Sequence, residues 1–278
     1  MRAFLAVIAL GAAQPTLAQT RVPQSGAPSG KPADAGAGGW SVTVGAGLVL
    51  SPAWQGSRDM AFSIFPDLRV NYKDAIFASI PSGVGWNMVN EAGWKAGPLA
   101  KVRFGRDEDG RGSPFLVSGT SDALRGLGDV GAAAELGGFV EKQFGPLRAR
   151  AEVRRGFGGH EGVVADGSLA YQARTGRTII SIGPRATIAS RNYVATYFGI
   201  DPVQSQRSGL RPYSPSGGLV SYGIGGSVVH PLNRTSALTL FTALDRLGGD
   251  AGNSPLVRER GRREQFTLGI GYGLRFGL

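Results

Sequence analysis

Charged side chains stand in phase with a period of two along segments otherwise made of small or apolar residues. Lys95, Lys101 and Arg103 form one such row, Asp129, Glu135 and Glu141 a second, and Arg148, Arg150, Glu152 and Arg154 a third. A period of two sends alternate side chains to one face of a strand, so each row lines a single surface. Two chemistries are open to charges collected in this way. Cations along a water-filled passage would select anions. Cations and carboxylates facing one another across a narrow lumen would instead neutralise each other and fill it. Small barrels are filled by their own side chains as a rule, which favours the second reading. The candidate lumen charges are Arg69, Lys95, Lys101, Arg103, Glu135, Arg148, Arg150, Glu152, Arg185 and Arg275, joined by Asp67, Asp129, Glu141, Arg154 and Asp166.

Catalytic chemistry is poorly supplied. The chain has two histidines, His160 and His230. A hydrolase needs a nucleophile, a base and an orienting group within hydrogen-bond reach. His160 beside Glu161 is the best pair available, in a glycine-rich loop where a solvated pair is the expected reading, and no Gly-x-Ser-x-Gly elbow occurs. Metal-ligand spacings and phosphate loops are absent, and with no cysteine there is neither a thiolate site nor a disulfide scaffold. No catalytic, cofactor or metal site is therefore expected. A basic stretch, Arg258, Arg260, Arg262 and Arg263, could clamp lipopolysaccharide phosphates or be a solvated charge run.

The net charge of +10, carried by 25 arginines against 5 lysines, would ordinarily raise nucleic acid as a partner. The first residues argue against it. Arg2 precedes the apolar run 3–13, and Thr16-Leu17-Ala18 is a small-x-small cleavage site, so residues 1–18 read as a secretory signal peptide. Residues 19–39 are rich in Pro, Gly, Ala and Ser and read as a disordered linker. An exported basic protein meets outer-membrane lipid, lipopolysaccharide phosphates and peptidoglycan carboxylates instead of nucleic acid.

From Trp40 to Leu278 the texture is that of long strands. At the C-terminus Phe266, Leu268, Ile270, Tyr272, Leu274, Phe276 and Leu278 alternate with Thr267, Gly269, Gly271, Gly273, Arg275 and Gly277. Bulky apolar residues on one face and almost nothing but glycine on the other is the membrane-barrel pattern, with the apolar set facing lipid. Eleven strands are legible, among them 75–89 read as one strand and 129–141 as another. Single-chain bacterial barrels have even strand numbers. The expectation is an all-β, antiparallel transmembrane barrel of twelve strands, the twelfth hidden in 190–200, with ten as the alternative. Strands of this length match the roughly 9–11 residues that cross a bilayer at a tilt.

Several local sequences then carry a family resemblance. They are Gly45-Ala46-Gly47 with Trp54-Gln55-Gly56-Ser57, Phe65-Pro66-Asp67, the stretch Leu124–Asp129, Tyr197-Phe198-Gly199-Ile200, Ser208-Gly209-Leu210 with Tyr213, and the stretch Leu247–Val257. In this order and spacing the chain resembles the MipA/OmpV family of outer-membrane proteins. The resemblance implies an outer-membrane barrel inserted by the barrel-assembly machinery. It further implies a non-enzymatic scaffold between a peptidoglycan hydrolase and a peptidoglycan synthase, as for the family's namesake. A narrow anion-favouring channel is the alternative function, with surface adhesin and lipid hydrolase behind it.

Overall fold

The computed structural model describes residues 39–108 and 115–277. The expected signal segment, nearly all of the linker and Leu278 lie outside the described residues. Strands β1 (Trp40–Pro52), β2 (Met60–Tyr72), β3 (Ile76–Ser79), β4 (Gly83–Trp86), β5 (Val89–Glu91), β6 (Trp94–Arg103) and β7 (Leu116–Ser118) form the first half of the wall. The second half is β8 (Ala133–Phe144), β9 (Leu147–Gly158), β10 (Val163–Thr175), β11 (Thr178–Ser190), β12 (Gly217–Pro231), β13 (Ser236–Leu247) and β14 (Glu264–Gly277). All pairings are antiparallel between neighbours. The ring closes because β1 pairs with β2 along one edge and with β14 along the other, Gly45 lying opposite both Asp67 and Gly273. Counted around the ring the barrel has twelve staves, with β5 continuing β4 along β6 and β7 capping the edge of β2.

The twelfth stave is not where the sequence suggested. Residues 190–200 hold helix α1 (Arg191–Phe198) instead of a strand. The extra stave comes from 75–89, which is a hairpin of β3 and β4 turning through Ile80-Pro81-Ser82. Pro81 has no amide hydrogen to give to a ladder, and Gly83, paired with Ser79, takes the φ of 78° that brings the chain back. The strand expected over 129–141 also runs later, as β8, which leaves Asp129 in the preceding loop.

Connections sort by length to the two ends. At one end β8–β9 and β10–β11 turn on Gly145-Pro146 and Gly176-Arg177, each with glycine at φ 59° in the first place. That is the position where a two-residue hairpin of the II′ kind needs a positive φ. The start of β1 at Trp40 and the end of β14 at Gly277 are both at this turn end. At the other end, apart from the short β3–β4 and β9–β10 links, the connections are longer, and two of them carry α1, α2 (Pro202–Ser208), α3 (Gly249–Asn253) and α4 (Pro255–Arg260).

The two faces of the wall follow the period of two. On β14 Leu268, Ile270, Tyr272, Leu274 and Phe276 are exposed, Phe266 is half-buried near the loop end, and Gln265 and Thr267 between them are buried. The glycines of the inner face are filled by neighbours: a Cβ on Gly269 would stand 2.1 Å from the Phe241 ring that lies across it. The outward girdle continues through Val44, Leu136, Val153, Ile182, Ile224 and Leu244, all exposed. In water this surface would be an aggregation hazard; in lipid it is the solvated face.

Ile270, midway along β14 and 40% exposed, tests that orientation. Ile270→Arg should cost about 2–4 kcal/mol near the bilayer midplane and prevent assembly into the heat-modifiable form seen on unboiled gels. Normal assembly of this variant would reverse the assignment of faces.

Candidate functional site

Buried charge is concentrated on the inner face of β6, β8, β9 and β10. Arg148, Arg150, Glu152 and Arg154 occupy alternate positions of β9, so all four point inward. Glu141 of β8 lies opposite Arg150, and Asp166 of β10 opposite Glu152. The resulting ladder is continuous. Arg148 stands 3.7 Å from Glu141, Glu141 3.0 Å from Arg150, and Arg150 2.9 Å from Glu152. Glu152 takes Lys101 at 2.7 Å and Arg154 at 2.5 Å, and Arg154 reaches Asp166 at 2.6 Å and Glu135 at 2.8 Å.

Glu135 is the upper hub, 1% exposed. One carboxylate oxygen accepts from Arg154, and the other from Arg103 at 2.5 Å and His160 at 3.1 Å. Nδ1 of His160 accepts the Gly162 amide at 3.3 Å, which assigns the proton to Nε2 and makes the imidazole a neutral donor to Glu135. The ring can lie there because β9 ends its inward row in Gly156, where a Cβ would be 2.1 Å from His160 Cε1.

Nine of the expected lumen charges, Lys101, Arg103, Glu135, Glu141, Arg148, Arg150, Glu152, Arg154 and Asp166, thus belong to one network, with His160. The others stand apart. Arg69 pairs with Asp67 two residues earlier on β2, and Lys95 with Asp74 at the turn end. Arg185 of β11 reaches over β12 to Asp245 of β13, Nε to Oδ1 at 2.8 Å, across the small inward residues Gly223 and Gly225. Arg275 lies on β14 opposite Thr43. The pairs therefore run along the wall, within a strand, between neighbouring strands or over one intervening strand, and not across the lumen. Adjacent same-face side chains on neighbouring strands are about 5 Å apart, far closer than opposite walls, so carboxylates find cations next door. The facing wall of β1 and β14 is lined by Thr43, Gly45, Gly47, Thr267, Gly269 and Gly271.

His160 corrects the reading of a solvated loop pair. Its side chain is fully buried, its partner is Glu135, and Glu161 is exposed. It is packed edge-on against Tyr193 at 5.1 Å and Tyr197 at 5.9 Å, both from α1. His230 is at the turn end, 2.8 Å from Thr178 Oγ1.

Above this junction the long connections pack into one apolar cluster. Trp54 from the β1–β2 connection, Leu124 and Leu127 from β6–β8, Tyr193, Phe198 and Leu210 from β11–β12, and Leu256 and Val257 from β13–β14 are buried together with Val164, Val220 and Leu247 at the strand tips. Polar clips lock the backbones: Arg106 donates to the Tyr197 carbonyl, Gln204 to Leu127, Ser254 to Phe198, and Tyr213 to Asp250. Arg260 donates to the carbonyls of Ala123, Arg125 and Ser208, and Arg263 to that of Gly252. Two of the four arginines of the expected phosphate clamp are thus spent on loop carbonyls. At about 1.5–3 kcal/mol for each large apolar side chain, exposing half a dozen of them would cost on the order of 10 kcal/mol. At ambient temperature that cost keeps the roof closed.

Titration in the roof follows its contacts. Glu108 is held below its ordinary value by the amides of Gly128 and Gly126 and by Arg207. Arg106 is pushed down to about 10, because burial is opposed only by the two tyrosines beside it. Burial raises Tyr197 and Tyr213. Arg106 and Tyr193 carried no signal in the sequence, and Tyr197 only as part of the family resemblance, since each acts through a loop that folds back on the wall.

With this geometry in hand, the sequence matches the family model described as MltA-interacting protein MipA over residues 44–276. The chain belongs to the MipA family. Among curated proteins none matches it. Solved structures similar to it include the COG4313 outer membrane channel from Pseudomonas putida F1, at 14% identity and TM-score 0.46, covering 89% of this chain and all of that one. The outer membrane protein OprG from Pseudomonas aeruginosa is similar at 10% identity and TM-score 0.25, covering 86% of this chain and 97% of that one. This MipA-family chain is an outer-membrane barrel. The stretches that carry the family resemblance fall largely on the roof: Trp54, Leu124–Asp129, Tyr197–Ile200, Leu210, and Leu247–Val257.

Two expectations follow for this MipA-family barrel. Glu135→Ala would leave Arg103, Arg154 and His160 without their common acceptor. Breaking a buried pair in this way costs about 3–5 kcal/mol, so the variant should lose heat-resistant mobility well below the wild-type temperature; an unchanged transition would remove Glu135 from its place as hub. For Glu108 the sign is fixed by linkage: a carboxyl held below its ordinary value stabilises the fold above that value, and the contribution is lost as pH falls through the depressed one. Proteolysis of the loop end should accelerate below the ordinary carboxylate range, and Glu108→Gln should show the faster cleavage already at neutral pH. Identical pH profiles for the two proteins would discard this account.

Proposed function

We propose that the protein is a non-enzymatic scaffold of the outer membrane, anchoring peptidoglycan enzymes at its periplasmic face. The observation that carries this reading is the roof: the long connections are spent on packing against one another instead of framing an opening or a cleft. The ladder points the same way. Its five cations, Lys101, Arg103, Arg148, Arg150 and Arg154, meet four carboxylates, so little charge remains to select ions. A catalytic role for His160 is disfavoured because its two ring nitrogens are occupied by Glu135 and the Gly162 amide, with no hydroxyl at either.

On this reading the short turns and the chain preceding Trp40 face the periplasm, and the roof faces outward. The partner class, a murein-processing enzyme, comes from the family description, MltA-interacting protein. The alternative of a narrow anion-favouring channel needs the roof to move aside.

The refolded mature chain in planar bilayers should give no steady conductance, while an immobilised barrel should retain a purified lytic transglycosylase of the MltA type. Steady anion-selective steps would replace the scaffold by the channel. Silence together with no retention would leave the barrel without the proposed partner.

A further inference from the structure

Arg106 is an anomaly among the buried cations. Arg103, Arg148 and Arg154 each have carboxylate partners, whereas Arg106, only 6% exposed, has none among the described residues. Its Nη1 donates 2.7 Å to the Tyr197 carbonyl, and its Nε is buried without an acceptor among the described residues. The Tyr197 hydroxyl, in a residue 8% exposed, is likewise buried with no partner among them. The guanidinium carbon is 5.9 Å from the centre of the Tyr197 ring, so both orphaned donors belong to one small region between ladder and roof. Nearby Arg103 lies over Tyr193 at 5.1 Å, with its charge already answered by Glu135.

A buried cation needs a counter-charge or full hydrogen bonding, and a buried donor left unmade is expensive. Here a positive charge and two donors are short of acceptors, and water, being neutral, would satisfy the donors but not the charge. We infer that Arg106 and Tyr197 form a binding site for a small oxyanion, a carboxylate or phosphate group, seated beneath the roof. Guanidinium is suited to this because its planar fork matches paired oxygens, and the phenol hydroxyl supplies a second direction of approach. The bound anion would clamp α1, which carries Tyr197, to the connection leaving β6, which carries Arg106. The site is independent of the scaffold reading and stands whether or not a periplasmic partner is found.

The test uses the full barrel in detergent and follows roof melting by near-ultraviolet circular dichroism of its tyrosines. Inorganic phosphate, acetate and dodecyl phosphate are compared with chloride at equal ionic strength. Phosphate or acetate should raise the roof transition, which identifies a free anion; a response to dodecyl phosphate alone would identify a lipid headgroup as the source of the same chemistry. Arg106→Met should abolish the shift of the transition with all three anions, read against that variant's own anion-free melting. Tyr197→Phe should keep the fold and weaken the apparent anion affinity by about tenfold, as loss of one charge-assisted hydrogen bond does. The inference is overturned if none of the three anions acts, if Arg106→Met responds like wild type, or if that variant is destabilised while the anions have no effect, which would make Arg106 only a clip on the Tyr197 carbonyl.

Discussion

Hydrocarbon offers no hydrogen bonds, so every amide and carbonyl within the bilayer has to find its partner inside the protein. The pairing of β1 with both β2 and β14 is the contact through which this barrel meets that demand: without it two full-length edges would face lipid. Once the ring is closed, the period of two fixes the rest. Each side chain faces either lipid or lumen, and the bulky apolar residues of β14 and their counterparts around the wall have only one place to go. Glycine on the inner face follows from the same geometry, because rings such as Phe241 lie flat across it where a Cβ would collide.

Closure also explains why the charges are arranged as a ladder. Inward residues on neighbouring strands are brought within contact distance by the backbone ladder itself, so an arginine and a glutamate two or three residues out of step meet without reaching across the lumen. Arg150 between Glu141 and Glu152, and Arg154 between Glu152, Asp166 and Glu135, are paired by register alone. Their long side chains lie along the wall, and the middle of the opposite wall is glycine and threonine. Neutralisation along the wall is an arrangement that the alternatives of open basic pore and cross-braced plug both overlook.

The strands were legible because alternation is a local property: Phe266 to Phe276 declares its own geometry. Failures came where local signals compete or where structure is made at a distance. Residues 75–89 keep an apolar texture through Ile80 and Val84, which masked the turn that Pro81 and Gly83 impose. Residues 191–198 hold Tyr193, Val194, Tyr197 and Phe198, aromatic and β-branched types that suit strands, yet they form a helix because they bury against Val164, Val220 and Leu256. The inward rows of charge were readable, but not their pairing, which depends on register between strands. His160 was misjudged for the same reason: a histidine among glycines reads as solvated unless one knows that Gly156 leaves a bed for its ring and Glu135 an acceptor.

That histidine is where wall and roof become one structure. From below, Glu135 gathers Arg103 and Arg154 of the ladder; from the side, His160 donates to it from the β9–β10 connection; from above, Tyr193 and Tyr197 press on the imidazole edge-on. The apolar roof contributes burial and the ladder contributes charge, and neither would be stable at this boundary alone. A roof resting on unpaired arginines would bury uncompensated charge, and a ladder open to bulk water would lose the low-dielectric setting that strengthens its bonds. The neutral imidazole resolves the conflict, since it offers Glu135 a hydrogen bond without adding a charge to a region that already holds one cation, Arg106, in excess.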